Sequence, residues 1–302
     1  MFQQLLDNYH FNAARIWLSV PYFAAAAFAG YFLVIRRASL FGLVLSNLAK
    51  VSFITGFGIH ALMHSTDSYE LINNQNHSMV TSQLFHLDAI ILPVASSIMV
   101  LMILFSRSFS TRARNIETFF AIALVVLTAA VPFLHKIFKA NDTIIARAYF
   151  TEILFTHESV FLHYLPFIGI LVVVLLVFYR LFLFIAFDET QARISGMNVV
   201  LYYFIFYLAA GFIIAFCVRV IGIYVTMSAL LIPAFISISI FRSIWLSMVM
   251  TVVLSILFSL CGFFVSFAFG DLPTDPTIII TFATLAAFTF LLQRLMGHRR
   301  SS

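Results

Sequence analysis

Between His60 and Asp88 the sequence gathers side chains that ligate metals. His60 and His64 are four residues apart, so a helix would set both imidazoles on one face. Asp67, Glu70 and His77 follow in the polar stretch STDSYELINNQNHS, and His86 and Asp88 come next. Two imidazoles with a nearby carboxylate can complete a tetrahedral first shell, so His60, His64, Asp67, His86 and Asp88 form the candidate metal set. Imidazole suits zinc, and carboxylates suit manganese and similar harder ions. The chain has no His-Glu-x-x-His run, which leaves a metalloprotease without support. The alternative is a solvated loop with histidines at a membrane interface. A second group, Glu152, His157, Glu158 and His163, lies in TEILFTHESVFLHY, where His163 could face a bundle interior or anchor an interface with Tyr149 and Tyr164.

The elements that must position these residues are apolar. The chain of 302 residues is 63% hydrophobic and 10% charged, against about 25% charge in soluble domains. Runs of spanning length, roughly 20 residues each, occupy 16–35, 41–62, 88–106, 118–134, 162–186, 198–218, 220–241, 243–270 and 276–293. The expected fold is an all-α polytopic membrane bundle of eight to nine segments, a single domain over 1–302 with an outer polar loop at 63–87. The count falls to eight if Arg219-Val220-Ile221-Gly222 interrupts one element instead of joining two. Lys50 falls within the second run, where a long side chain can snorkel to the interface. Cys217 and Cys261 lie in apolar runs and read as packing residues.

One stretch breaks the apolar pattern late in the chain. Phe187–Met197, FDETQARISGM, holds Asp188, Glu189 and Arg193 and ends near Gly196. A charged helical turn cannot lie in hydrocarbon, so this island must face water. With the island inside and alternating spans, eleven Lys and Arg fall on the inner side: Arg36, Arg37, Arg107, Arg112, Arg114, Arg180, Arg193, Arg242, Arg294, Arg299 and Arg300. Five fall outside: Arg15, Lys136, Lys139, Arg147 and Arg219. This positive-inside bias places the N-terminus outside and the C-terminus in the cytoplasm, and it favours nine segments. Eight of nine histidines and nine of twelve acids then collect on the outer side, as divalent-cation entry would need. The net charge of +5 is dispersed at span ends, which reflects topology and gives no nucleic-acid signal. The chain has no phosphate-binding loop, dinucleotide fingerprint or nucleophile elbow. Uphill transport would need an ATPase on another chain, or protons moving through Glu152 or Asp88.

Three blocks carry a resemblance over nearly the whole length. The first is Arg36-Arg37-Ala38-Ser39-Leu40-Phe41-Gly42. The second is Thr151-Glu152-Ile153-Leu154, with Phe178-Tyr179-Arg180 running into Phe187-Asp188-Glu189, Ala192-Arg193 and Gly196-Met197. The third is Val220-Ile221-Gly222 with Ser228-Ala229-Leu230-Leu231-Ile232-Pro233-Ala234, then Asp271-Leu272-Pro273. In these blocks and their order the chain resembles the integral membrane permease subunits of zinc/manganese/iron ABC importers (the ABC-3 type). The resemblance implies a multi-pass protein of the bacterial inner (plasma) membrane, with no enzymatic activity and no permanently bound cofactor. It implies a permease homodimer in the lipid bilayer, a separate ATP-binding cassette ATPase inside, and an extracytoplasmic metal-binding protein that delivers the ion. Phe187, Asp188, Glu189, Arg193 and Gly196 would form the coupling helix gripped by the ATPase. The transported ion would be a divalent metal, zinc ahead of manganese or iron.

At one place the chain departs from that family. Its Ser-Leu-Phe-Gly block continues as Leu43-Val44-Leu45-Ser46-Asn47, where the family has Asp-Ala-Leu-Ser-His. Leu43 cannot ligate a metal, and Asn47 offers only a neutral oxygen. Three readings stay open: the site has moved to His60, His64, His86 and Asp88, the ligands lie elsewhere on the pathway, or the cargo is not a bare transition-metal ion. A divergent, non-transporting paralogue acting as scaffold or sensor is the alternative function, and a proton-coupled secondary transporter is the other.

Overall fold

The computed structural model describes residues 2–36, 38, 40–44, 46–48, 51, 114–138, 153, 156, 158–269 and 272–298. The helices that the described residues define from end to end are α1 (Phe2–Ile35), α2 (Arg114–Phe138), α3 (Glu158–Val177), α4 (Tyr179–Phe187), α5 (Glu189–Ile194), α6 (Val199–Ile221), α7 (Ile223–Ile240), α8 (Ile244–Ala268) and α9 (Thr274–His298). No strand occurs among the described residues. Among the described residues, six stretches are long and apolar enough to cross a membrane: Asn12–Ile35, Glu158–Val177, Val199–Ile221, Ile223–Ile240, Ile244–Ala268 and Thr274–Leu291. They match six of the expected runs. The expected run at 118–134 lies inside α2. Most of 41–62, all of 88–106 and the loop at 63–87 lie outside the described residues.

The chain forms two compact units, Met1–Gly42 with Phe150–Ser302, and Leu43–Tyr149. In the second, α2 exposes Ile122, Val125, Val126 and Phe133, an apolar surface suited to hydrocarbon. The first is organised around α1, which packs on α3, α6, α7 and α8. The stretch Ala25–Leu33 of α1 is buried on every side, as an all-round apolar helix must be in a bundle. Its run of Ala and Gly lets neighbouring backbones approach, because helices in lipid gain from close packing where hydrophobic expulsion is absent. A β-carbon at Gly30 would overlap the Leu230 carbonyl oxygen of α7. On α8 six buried residues are small or hydroxylic, Ser247, Thr251, Ser255, Ser259, Gly262 and Ser266, beside the larger Met248, Phe258 and Phe263. Ser255 donates to the Phe23 carbonyl at 3.2 Å, and a β-carbon at Gly262 would lie 2.8 Å from the Ile278 Cα of α9. Aromatic rings fill the wider gaps, with Phe23 against Phe263 and Phe282, and Phe32 and Phe182 against Phe206.

Two junctions are set by backbone geometry. Gly222 takes φ 78° and ψ 162°, separating α6 from α7. The interruption at Arg219–Gly222 therefore joins two helices of spanning length. This backbone region is essentially open to glycine alone. The expected run 162–186 divides into α3 and α4 at Phe178, whose φ of −95° and ψ of 8° lie off the helical values. Hydrogen bonds continue through the break, from Phe178 N to Val174 O and from Phe182 N to Phe178 O. The result is a bend, packed by the Phe178 ring on Phe182 and Tyr202. Pro21, Pro166 and Pro233 sit inside α1, α3 and α7 without ending them, as neighbouring helices permit in membranes.

Candidate functional site

The polar island folds as a six-residue helix, α5, closed at both ends. Asp188 is its N-cap, and its Oδ1 accepts from the Gln191 backbone N–H at 2.8 Å. The cap satisfies one of the orphan donors of the first turn and places a negative charge at the positive end of the helix. Gly196 supplies the other end with φ 78°. The Gly196 N–H donates to the Arg193 carbonyl at 3.1 Å and the Met197 N–H to the Ala192 carbonyl at 3.2 Å, which together make a Schellman motif. Asn198 then caps α6 by accepting from Leu201 N–H at 3.3 Å. The segment is thus a rigid plug between two spans.

What the plug hides and shows is uneven. Ala192 is fully buried and fastens it to the bundle. Ile194 is 81% exposed and Phe187 64%, beside exposed Thr190, Gln191 and Arg193. Two large apolar side chains are thus left uncovered on a charged segment. They suit a protein groove.

Glu189 is gripped at both oxygens. Arg193 Nη2 donates to Oε1 at 2.7 Å, and the Tyr203 hydroxyl donates to Oε2 at 2.6 Å. An exposed ion pair at this helical spacing contributes about 0.3–0.5 kcal/mol, whereas a hydrogen bond to a charged group contributes about 1.5–3 kcal/mol. Tyr203 is the stronger tether, because its side chain is buried. The Arg36 guanidinium, just past the end of α1, lies 3.9 Å from the centre of the Tyr203 ring and 4.9 Å from that of Phe206. Spacing in the sequence offers no access to this contact, since Tyr203 is several helical turns beyond Glu189 and most of the chain away from Arg36.

The same end of this unit carries the Tyr31 hydroxyl on the Ile244 carbonyl at 2.7 Å, and the Tyr179 ring 5.9 Å from Trp245. At the opposite end Asp275 Oδ1 accepts from Ile153 N–H at 3.3 Å, and Thr156 donates to the Val220 carbonyl at 3.3 Å. Arg36, Arg180 and Arg193 therefore share one end of the unit and Asp275 lies at the other, as alternating spans require.

The candidate ligands His60, His64, Asp67, His86 and Asp88 lie outside the described residues, as do Lys50, Glu152 and His157. No group of three or more His, Cys, Asp or Glu that could hold a metal occurs among the described residues. His163 is exposed on α3, its ring 5.3 Å from Tyr164 and 6.0 Å from Phe167; it does not face the interior of its unit. Leu43 and Asn47 are both helical, and Asn47 Nδ2 donates to the Leu43 carbonyl at 3.1 Å. That amide is turned onto its own helix backbone, one turn back.

The fold and the island define a polytopic α-helical membrane protein with a water-facing helix between two spans. The sequence model of the ABC 3 transport family matches residues 8–293, and the chain belongs to that family. It is therefore a transport component. No curated protein matches the sequence. Among solved structures, PsaBC from Streptococcus pneumoniae in complex with Fab is similar with a TM-score of 0.71 at 16% identity, covering 96% of this chain and 95% of that one. A metal-chelate type ABC transporter in an inward-facing conformation is similar with a TM-score of 0.64 at 12% identity, covering 94% of this chain and 87% of that one.

Proposed function

We propose that the chain is the permease subunit of an ATP-driven importer of a divalent transition metal, zinc ahead of manganese or iron, working as a homodimer. In this reading an ATP-binding cassette ATPase docks on the cytoplasmic side, an extracytoplasmic protein delivers the ion, and alternating access carries it across the plasma membrane. The observation that carries the reading is the island: a short helix capped by Asp188 and closed by Gly196, projecting Phe187, Ile194 and Arg193 from the end of the bundle. ATP binding would pull on this plug and reorient the spans around a central path. The N-terminus would then lie outside and the C-terminus in the cytoplasm.

Reversing the island's acids tests the docking. Asp188→Lys with Glu189→Lys removes the N-cap and the partner of Tyr203 and Arg193, and the ATPase should no longer co-purify from detergent. Continued co-purification would mean that the ATPase docks elsewhere. Uptake of zinc, manganese and iron into reconstituted vesicles ranks the ions. The metal path itself is proposed at His60, His64, Asp67, His86 and Asp88. His60→Ala with His64→Ala should reduce uptake at limiting metal while the ATPase stays bound, and unchanged uptake would remove that site.

A non-transporting scaffold or sensor is the second reading. It is favoured by Leu43, which has no ligating atom, and by Asn47, which offers only a neutral amide, where the family sequence has an acid and an imidazole. Vesicles that take up none of the three ions while still binding the ATPase would select it.

A further inference from the structure

We propose that Tyr203 is a positioning residue of the coupling step, joining the island to the end of α1 through Glu189 on one side and Arg36 on the other. The proposal rests on the reading of the island as the ATPase docking point. Three contacts make a continuous chain. Glu189 sits in the first turn of α5, and its Oε2 accepts the Tyr203 hydroxyl at 2.6 Å. Tyr203 belongs to the second turn of α6, and its ring is stacked under the Arg36 guanidinium at 3.9 Å. Arg36 follows α1 directly, and its N–H still donates to Phe32 O at 3.1 Å; Ala38 N–H donates to Leu33 O at 2.8 Å.

The chemistry of the link is directional. The phenol presents a donor to the carboxylate and a negative π face to the guanidinium. A charge-assisted hydrogen bond to the phenol also enriches the ring's electron density, which favours the cation above it. When the island tilts, Glu189 carries its acceptor away from the hydroxyl, and the ring beneath Arg36 must turn or lose its partner. α1 is the helix about which its unit is packed, so a displacement at Arg36 enters the bundle at its centre. The exposed Arg193 ion pair cannot do this, because both of its members move with α5.

Hydrogen exchange on the detergent-solubilised complex with its ATPase, with and without AMP-PNP, reads the link without reference to any ion. In the wild type the nucleotide should alter exchange at the island amides Gln191–Met197 and at Arg36 and Ala38. Tyr203→Phe keeps the ring and deletes the donor. It should keep the island response and reduce the response at Arg36 and Ala38 by at least about tenfold, which corresponds to ~1.4 kcal/mol of lost bias. Glu189→Gln retains an accepting oxygen and should preserve the response, whereas Glu189→Ala should lose it. If the three variants lose the response in proportion to their loss of melting temperature, Tyr203 is only a fastening. An unchanged response at Arg36 in Tyr203→Phe, or none there in the wild type, overturns the link. Absence of any nucleotide response at the wild-type island overturns the docking reading instead, so the two failures are told apart.

Discussion

Three glycines that read alike in the sequence have different work in the fold. Gly30 and Gly262 sit where a β-carbon would meet the backbone of a neighbouring helix, at Leu230 and Ile278, whereas Gly169 on α3 has nothing within 4 Å. Backbone cannot step aside as a flexible side chain can. Gly30→Ala and Gly262→Ala should each separate the helices and cost about 1–3 kcal/mol or more, seen as a large drop in the melting temperature of the detergent-solubilised protein. Gly169→Ala should be neutral or stabilising, by up to about 1 kcal/mol, since alanine is the better helix former. Equal effects at the three positions would contradict this packing. Gly222→Ala belongs with the first pair, because the left-handed φ of Gly222 strains any residue that has a β-carbon. That strain costs about 1–3 kcal/mol. None of this is legible in the sequence: a glycine in an apolar run carries no sign of what stands opposite it.

At the scale of elements, the apolar runs were legible because hydropathy reports the solvent each segment needs. The expected boundaries at 16–35, 198–218, 220–241, 243–270 and 276–293 fall within a few residues of the described spans. Hydropathy is silent on backbone geometry, so the bend at Phe178 emerged only from dihedral angles, whereas the separate runs 198–218 and 220–241 already marked α6 and α7 as two spans. The island is legible from its charges, Asp188, Glu189 and Arg193, and from Gly196 at its end, and its caps are local chemistry too. Asp188, Gln191 three residues on, and Gly196 after the last turn announce a short helix with defined ends. Gly196 further admits a graded test. Asn tolerates a positive φ and a β-branched residue does not, so Gly196→Asn should leave the island amides protected from exchange. Gly196→Val should expose those of Gly196 and Met197, whose N–H groups close the Schellman motif. Identical exchange in the two variants would count against that motif. The tie from Glu189 through Tyr203 to Arg36 was invisible for the opposite reason, being long-range.

For the molecule as a whole, the two tryptophans mark the limits of the apolar slab. Trp17 is near the start of the spanning part of α1 and Trp245 opens α8 at the other end, and they are 59% and 57% exposed. From Trp17 to Arg36 the chain covers about 28 Å of helix at ~1.5 Å per residue, close to the roughly 30 Å of a bilayer's hydrocarbon. Both indoles should therefore sit at the headgroup level, where tryptophan is enriched. With only two tryptophans in the chain, native fluorescence in vesicles reads their depth directly. Quenching by a lipid labelled near its headgroup should exceed quenching by one labelled at the chain end. The reverse order would displace α1 and α8 from that placement. What the sequence could not convey at this scale is the transport path. Leu43 and Asn47 stand where the resemblance leads one to expect a ligand pair, and the candidate histidines lie in a stretch with no local motif to fix their geometry.

The central place of α1 has a consequence for how the protein is made. This helix is synthesised early, yet α7 and α8 among its partners end at Ile240 and Ala268. A ribosome adding about 5–20 residues per second needs roughly 10–50 s to travel from Ile35 to Ala268. Until α7 has been made, the face of α1 that meets Leu230 lacks that partner, and until α8 follows it lacks Ser255 as well. The stretch Ala24–Gly30 contains no polar side chain, so it can wait in lipid without an unsatisfied group. Ser255, whose hydroxyl reaches the Phe23 carbonyl, is carried by the helix that arrives later. That a hydroxyl bridging the two helices is supplied by the later one suits a bundle that is closed from its C-terminal half.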